Sequence, residues 1–156
     1  MLMREFPLPM KRVKDIRNLI TQNASIVKED DPILKVAEEI VSDPKTRSVY
    51  VVDKKNKLVG IIPVIELVQY LYYEYIPQEY ILYRFPVILS SEATAKDIML
   101  PPLYVHDDEE ISSALVKMFK NNLKELPVVD EEMHVVGDLN ILELIIAWIE
   151  SVKNAN

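Results

Sequence analysis

Short continuous apolar runs alternate along this chain with stretches whose apolar residues recur every three or four positions. Val49 to Val52 and Leu126 to Val129 are runs of the first kind and are rich in β-branched residues. Such runs suit strands covered on both faces. Ile33, Leu34, Ala37, Ile40 and Val41 share one face of a helix, with Pro32 placed for its first turn. Ile111, Ala114, Leu115, Met118 and Phe119 repeat that stripe. A short β-favouring stretch precedes each helix, Ser25 to Lys28 in one case and Leu103 to Val105 in the other. A polar turn follows each buried run, Asp53 to Lys57 or Asp130 to His134, and leads to a second strand that ends just beyond a glycine. A last helix begins near Pro63 or Asn140. The predicted order is β-α-β-β-α, twice, which is an α/β (α+β) class.

The two glycines of the chain, Gly60 and Gly137, stand 77 residues apart at the same point of the pattern. Val59/Val136, Ile62/Leu139, Ile65/Leu142, Glu66/Glu143 and Leu67/Leu144 keep that spacing, as do Val51-Val52-Asp53 and Val128-Val129-Asp130. It also pairs Arg47 with Lys124, Leu34 with Ile111, Ala37 with Ala114, and Asp30-Asp31 with Asp107-Asp108. Further upstream Lys14-Asp15-Ile16 recurs as Lys96-Asp97-Ile98 at a spacing of 82. The chain is read as two copies of one supersecondary unit.

Its 156 residues suffice to bury a real core. A net charge of −7 opposes a polyanion over most of the surface and argues against nucleic acid, though not against a small anion held locally. No cysteine is present, so disulfides and thiolate metal sites are excluded and a reducing, cytoplasmic setting is expected. Met1 to Lys14 lacks a secretory-type apolar stretch, and the run Ile141 to Ile149, interrupted by Glu143, falls far short of the ~20 residues that span a bilayer. No membrane insertion is expected. From Ile141 to Val152 the last helix is apolar most of the way round, so one stripe of burial does not satisfy it. A homodimer through these helices follows as an expectation.

Six of the eight tyrosines lie between Tyr70 and Tyr83. There the preceding helix is expected to run to Ile76 and stop at Pro77, with another turn or two over Gln78 to Arg84. These rings read as cover for a hydrophobic seam, and as a base-stacking platform only against the acidic charge. Glu29-Asp30-Asp31 and Asp107-Asp108-Glu109-Glu110 each precede a helix, where acids cap free N–H groups and meet the dipole, the alternative being a hard-cation site. His106 and His134 are single and lack zinc spacing. No cysteine nucleophile, Gly-x-Ser-x-Gly elbow or glycine-rich phosphate loop is present, so no catalytic residue is nominated.

The β-α-β-β-α order, the acidic entry to the first helix, the strand Glu125-Leu126-Pro127-Val128-Val129-Asp130 and the strand Val135-Val136-Gly137 resemble the CBS domain, named from cystathionine beta-synthase. Two in tandem resemble a CBS pair, or Bateman module. The resemblance divides the chain into an extension over 1–13, a first domain over 14–75, a Tyr-rich connector over 76–95 and a second domain over 96–153. It implies a pseudo-twofold, disc-like module with two clefts between the repeats that bind AMP, ADP, ATP or S-adenosylmethionine, occasionally with Mg²⁺. It also implies dimerisation and control of a partner protein by the ligand. No effector domain is legible in this sequence, so a stand-alone sensor is expected.

In nucleotide-binding members of that family the junction after the glycine resembles Gly-h-h-Ser/Thr-x-x-Asp, where h is apolar, the hydroxyl lies near phosphate and the Asp holds the ribose diol. The matching positions here are Pro63 and Glu66, then Asn140 and Glu143, and all four depart from the pattern. Pro63 offers neither hydroxyl nor N–H, and each lost hydrogen bond is worth about 0.5–1.5 kcal/mol. Asn140 keeps an amide that can reach a phosphate or cap the helix. Both glutamates keep a carboxylate one methylene further out, or simply favour the first helical turn. The resemblance further nominates Leu126 and Pro127 for the adenine pocket and the backbone at Ile26, Val27, Tyr104 and Val105 beside the base, while the basic pair Arg47 and Lys124 either meets a phosphate or is two ordinary solvated cations. The second copy looks better equipped. The competing reading is a ligand-independent dimerisation or interaction module whose pockets have degenerated.

Overall fold

The computed structural model describes residues 11–20, 23–81 and 92–154. In chain order the elements are α1 (Val13–Ile16), β1 (Ile26–Lys28), α2 (Ile33–Val41), β2 (Ser48–Val52), β3 (Leu58–Pro63), α3 (Val64–Leu71), α4 (Ala95–Ile98), α5 (Ile111–Lys120), β4 (Glu125–Val129), β5 (Val135–Asn140) and α6 (Ile141–Asn154). The described residues form two compact units. One is Ser25–Pro102, and the other joins the described residues up to Ala24 to those from Leu103 onward.

In the Ser25–Pro102 unit β1 lies parallel to β2, with Val27 opposite Val51, and β2 lies antiparallel to β3, with Ser48 opposite Pro63. Every residue of β2 is buried, as its unbroken apolar run requires. The core is built from Val27, Val36, Ile40, Val49, Val51, Ile62, Leu67 and Ala95. In the other unit β4 and β5 are antiparallel, with Glu125 opposite Asn140. The expected strand over Leu103 to Val105 shrinks to one bridge, Val105 to Val128. Pro101 and Pro102 stand just ahead of it and bring no N–H to a ladder.

The helices correct the spacing of the repeat. Val36 and Ile40 are buried in α2 as Ala114 and Met118 are in α5, so Ile33 rather than Leu34 matches Ile111, at a spacing of 78. Leu34 and Val41 are exposed. The loop between helix and strand absorbs the difference, being longer after α2 (42–47) than after α5 (121–124).

Each unit borrows a short helix from the other copy of the repeat. α4, from the start of the second copy, docks on the first: Ala95 N–H donates to Asp31 O (2.9 Å) and Lys96 N–H to Glu29 O (3.0 Å). α1 does the same to the second copy, Val13 N–H to Glu109 O (2.9 Å) and Lys14 N–H to Asp107 O (3.1 Å). Val13, Ile16 and Ala95 are buried by these contacts. An aspartate in each helix, Asp15 or Asp97, accepts the N–H of Arg12 (2.9 Å) or Thr94 (2.7 Å) and holds the first turn.

The acidic clusters serve this docking and cap neither α2 nor α5, which begin at Pro32 and Glu110 without a side-chain cap. Asp30 pairs with Lys96 (2.9 Å), Asp108 with Lys14 (3.6 Å) and Asp107 with Arg17 (2.5 Å). The Lys96 ammonium holds the Asp30 carboxyl below its ordinary range.

The two glycines are explained by the same exchange. Neither has positive φ. A Cβ on Gly60 would meet Met99 Sδ and lie 2.8 Å from Met99 Cβ, and one on Gly137 would meet Arg17 Nη1 and lie 2.9 Å from its Cδ. Met99 and Arg17 are equivalent residues of the borrowed segments, so each glycine leaves room for a side chain of a second segment: at Gly60 the clash reaches Met99 Cβ, and at Gly137 it is with the outer part of Arg17, which Asp107 holds in place.

The turns after β2 and β4 are built alike. Asp53 Oδ1 accepts the N–H groups of Lys55 (2.8 Å) and Lys57 (3.0 Å), and Asp130 Oδ1 those of Glu132 and His134 (2.9 Å each). The left-handed position is Asn56 (φ 62°) in one turn and Met133 (φ 69°) in the other. Asparagine adopts this region at lower cost than methionine. Met133→Asn is expected to raise stability by roughly 0.5–1 kcal/mol and Tm by roughly 1–4 °C, read by calorimetry.

α3 ends at Leu71, earlier than the expected Ile76, and the chain goes on through 3-10 turns at Tyr73–Tyr75 and Gln78–Tyr80. Consecutive aromatic residues are poor helix formers, and Pro77 bars Ile76 from helical geometry. Tyr72, Tyr75 and Tyr80 are exposed. Tyr83 and Arg84 lie outside the described residues. Ile145 and Trp148 of α6 remain 53% and 43% exposed, so part of its apolar surface is uncovered in the single chain. Among the described residues no helix is long and apolar enough to cross a membrane.

Candidate functional site

The two strand-to-helix junctions are equivalent in backbone and opposite in chemistry. Each is pinned by one hydrogen bond: Ile141 N–H donates to Lys124 O (2.9 Å), and Val64 N–H to Arg47 O (3.0 Å).

At the β5–α6 junction the polar groups satisfy one another. Asn140 Oδ1 accepts Leu142 N–H (2.9 Å), and Glu143 Oε1 accepts Asn140 N–H (2.8 Å), a reciprocal cap of the helix. Glu143 Oε2 accepts Ile20 N–H (3.1 Å) from the borrowed segment. Asn140 Nδ2 donates to Glu125 Oε2 (3.0 Å). Glu125, Asp138, Asn140 and Glu143 are all buried. Sequence reasoning nominates Asn140 and Glu143 but misses Glu125 and Asp138. The available signal is an acid inside each of two apolar runs, aligned across the β4–β5 pair on one face.

The β3–α3 junction lacks these partners. Pro63 stands where Asn140 stands and has no N–H. By the spacing of 82 that relates α1 to α4, Pro102 stands where Ile20 stands and has none either. Both donors that satisfy Glu143 are therefore deleted for Glu66. Glu66 is half-buried with no hydrogen-bond partner among the described residues, and burial pushes its carboxyl above the ordinary glutamate range.

The other nominated residues gather around these junctions within their own units. Val27 is buried beside β2, and Ile26 at the head of β1 is 38% exposed. The Arg47 guanidinium donates to Pro44 O (2.8 Å) and Thr46 O (3.2 Å). Val105 N–H donates to Pro127 O (3.0 Å), which brings Tyr104 and Val105 alongside Leu126 and Pro127. Lys117 Nζ donates to Tyr104 O (2.8 Å) and lies 5.8 Å from the tyrosine ring centroid, a cationic neighbour that sequence reasoning misses. Lys124 is exposed.

Among the described residues no group of three or more His, Asp or Glu is arranged to hold a metal ion. His106 Nδ1 lies 2.9 Å from Val129 O, and His134 Nδ1 lies 3.3 Å from Asp130 Oδ2. Both rings thus have local structural partners.

The family model described as CBS domain matches the chain twice, over residues 13–73 and 95–150. Among solved structures, a CBS domain-containing protein from Thermotoga maritima is 41% identical at a TM-score of 0.76, over 89% of this chain and 94% of that one. The CBS domain pair of protein MJ0100, in complex with 5′-methylthioadenosine and S-adenosyl-L-methionine, is 23% identical at a TM-score of 0.69, over 90% of this chain and 97% of that one. The protein PAE2072 from Pyrobaculum aerophilum, complexed with AMP, is 17% identical at 0.69, over 91% and 98%. No curated protein matches the chain.

Proposed function

This chain belongs to the CBS domain family, and we propose that it is a regulatory CBS pair that binds an adenosyl ligand at a strand-to-helix junction and signals to a partner protein. The observation that carries this reading is the duplicated junction, with a carboxylate at the same point of both copies and an edge segment of the sheet beside it. That two solved CBS proteins of the same fold hold AMP, or 5′-methylthioadenosine and S-adenosyl-L-methionine, supports the ligand class. The residues concerned are Ile26, Val27, Arg47, Pro63 and Glu66 in one unit, and Tyr104, Val105, Lys124, Leu126, Pro127, Asn140 and Glu143 in the other. The module performs no reaction, and the cysteine-free sequence suits the reducing cytoplasm.

A thermal-shift screen with AMP, ADP, ATP, S-adenosylmethionine and Mg²⁺ tests the proposal. A ligand at 100 times its Kd stabilises by about 2.7 kcal/mol. For a domain of this size that raises Tm by roughly 5–11 °C. If no compound in the set moves Tm, the second reading stands: a dimerisation module without a ligand, which the fully engaged carboxylate of Glu143 favours. Both readings use the exposed apolar surface of α3 and α6, including Ile65, Leu71, Ile145 and Trp148, to form a homodimer. A sedimentation mass that stays at the 18.1 kDa of one chain at micromolar concentration would count against it.

A further inference from the structure

We infer that the chain takes one ligand, not two, that Glu66 is the carboxylate that reads it, and that the ligand is an adenine nucleoside without phosphate. This rests on the reading that an adenosyl compound binds at all, and it reverses the ranking of the two copies that their sequences suggest.

Glu143 is closed to a ligand by the protein's own backbone. It is fully buried, and its two oxygens receive Asn140 N–H and Ile20 N–H. Because Glu143 is 0% exposed, a ribose diol reaches it only by displacing the backbone packed on it, which strands the Asn140 and Ile20 N–H groups. Glu66 has the converse environment. The two donors are replaced by Pro63 and Pro102, the carboxylate is half-buried, and it has no partner among the described residues. Two hydroxyls from a vicinal diol supply the two hydrogen bonds that its counterpart draws from the main chain. The prolines are thus what keeps this carboxylate available.

The same residues reject phosphate. Pro63 removes both the hydroxyl and the N–H that would meet it, and Val64 N–H is spent on Arg47 O. Arg47 Nη1 donates to two carbonyls, Pro44 O and Thr46 O, so that nitrogen is not offered to an anion. An unneutralised Glu66 in the first turn of α3 repels a second anion and favours a neutral or cationic 5′ substituent such as a thioether or a sulfonium.

Isothermal titration of the full-length chain tests this with 5′-methylthioadenosine, S-adenosyl-L-methionine, AMP and ATP. The expected result is one site per chain and at least a tenfold lower Kd for one of the first two compounds than for AMP or ATP. Glu66→Gln should weaken that binding tenfold or more while the far-ultraviolet circular dichroism is unchanged. Glu38→Gln, at an exposed carboxylate of α2 in the same unit, should leave the Kd within about twofold. Two sites per chain, an equal or tighter Kd for AMP or ATP, or indifference to Glu66→Gln would overturn the inference and leave the adenosyl reading intact. Absence of heat with all four compounds would remove the adenosyl reading and this inference with it.

Discussion

Glu143→Ala is expected to cost roughly 1.5–4.5 kcal/mol of unfolding free energy, because the buried Asn140 N–H is left unsatisfied, at about 1–3 kcal/mol, and the part-buried Ile20 N–H loses a hydrogen bond worth about 0.5–1.5 kcal/mol. The donors are Asn140 N–H, at the buried end of β5, and Ile20 N–H, in the borrowed segment. The loss is a large share of the about 5–15 kcal/mol that holds a typical domain folded. A change at Glu66 removes no hydrogen bond to a described residue and should go the other way. Glu66→Gln is expected to stabilise modestly at pH 7. Burial raises the folded-state pKa of Glu66 above its unfolded value. The folded chain therefore holds the proton more tightly, and stability is lost as pH rises through the folded pKa. The advantage of glutamine should accordingly vanish at pH 3, where Glu66 is protonated in both states. Urea titrations of the wild type and the variants at both pH values measure this. Similar losses for Glu66→Ala and Glu143→Ala would mean that the two junctions are alike after all.

A chain cut to Ser25–Pro102 is expected to fold cooperatively, and one cut to residues 14–75 is not. The second fragment follows the sequence repeat but discards α4. It exposes the core around Ala95 and leaves Asp31 O and Glu29 O without their donors. It also breaks the two-way bond between Ile61 and Leu100, at 3.1 and 2.8 Å. A unit this small has little core to spare. Thermal melts followed by circular dichroism distinguish the outcomes. A melt of the 14–75 fragment as sharp as that of Ser25–Pro102 would show that the borrowed helix is dispensable.

Much of this architecture is legible in the sequence, because local periodicity reports local structure. The runs at Val49–Val52 and Leu126–Val129 form the buried parts of β2 and β4, and the stripe from Ile111 forms α5. The matched glycines mark the repeat, although the reason for them is not local. Each makes room for Met99 or Arg17, residues of a segment remote in sequence, and no periodicity reveals which copy a short helix will cover. The acidic clusters mislead in part for the same cause: Asp30, Asp107 and Asp108 pair with the borrowed lysines and arginine, while Asp31 and Glu109 pair with Lys35 and Lys117 of the helices that follow. The one-residue error of register in the helices arises because loop length is weakly specified by composition. At the junctions Pro63 is visible as a missing donor to a ligand. Its effect on Glu66 needs the position of Ile20 against Glu143 and the recognition that Pro102 is the counterpart of Ile20.

The hydrogen bond from Ile20 to Glu143 joins residues 123 positions apart. At about 5–20 residues per second of synthesis, the first of them waits roughly 6–25 s on the ribosome for the second. The bonds between α4 and the first copy, such as Ala95 N–H to Asp31 O, join residues much closer in sequence and can form while the remainder is still being translated. The unit assembled from these two distant segments is therefore the last to form, and until then its apolar strands and helix faces are the surfaces open to capture by chaperones in a nascent polypeptide.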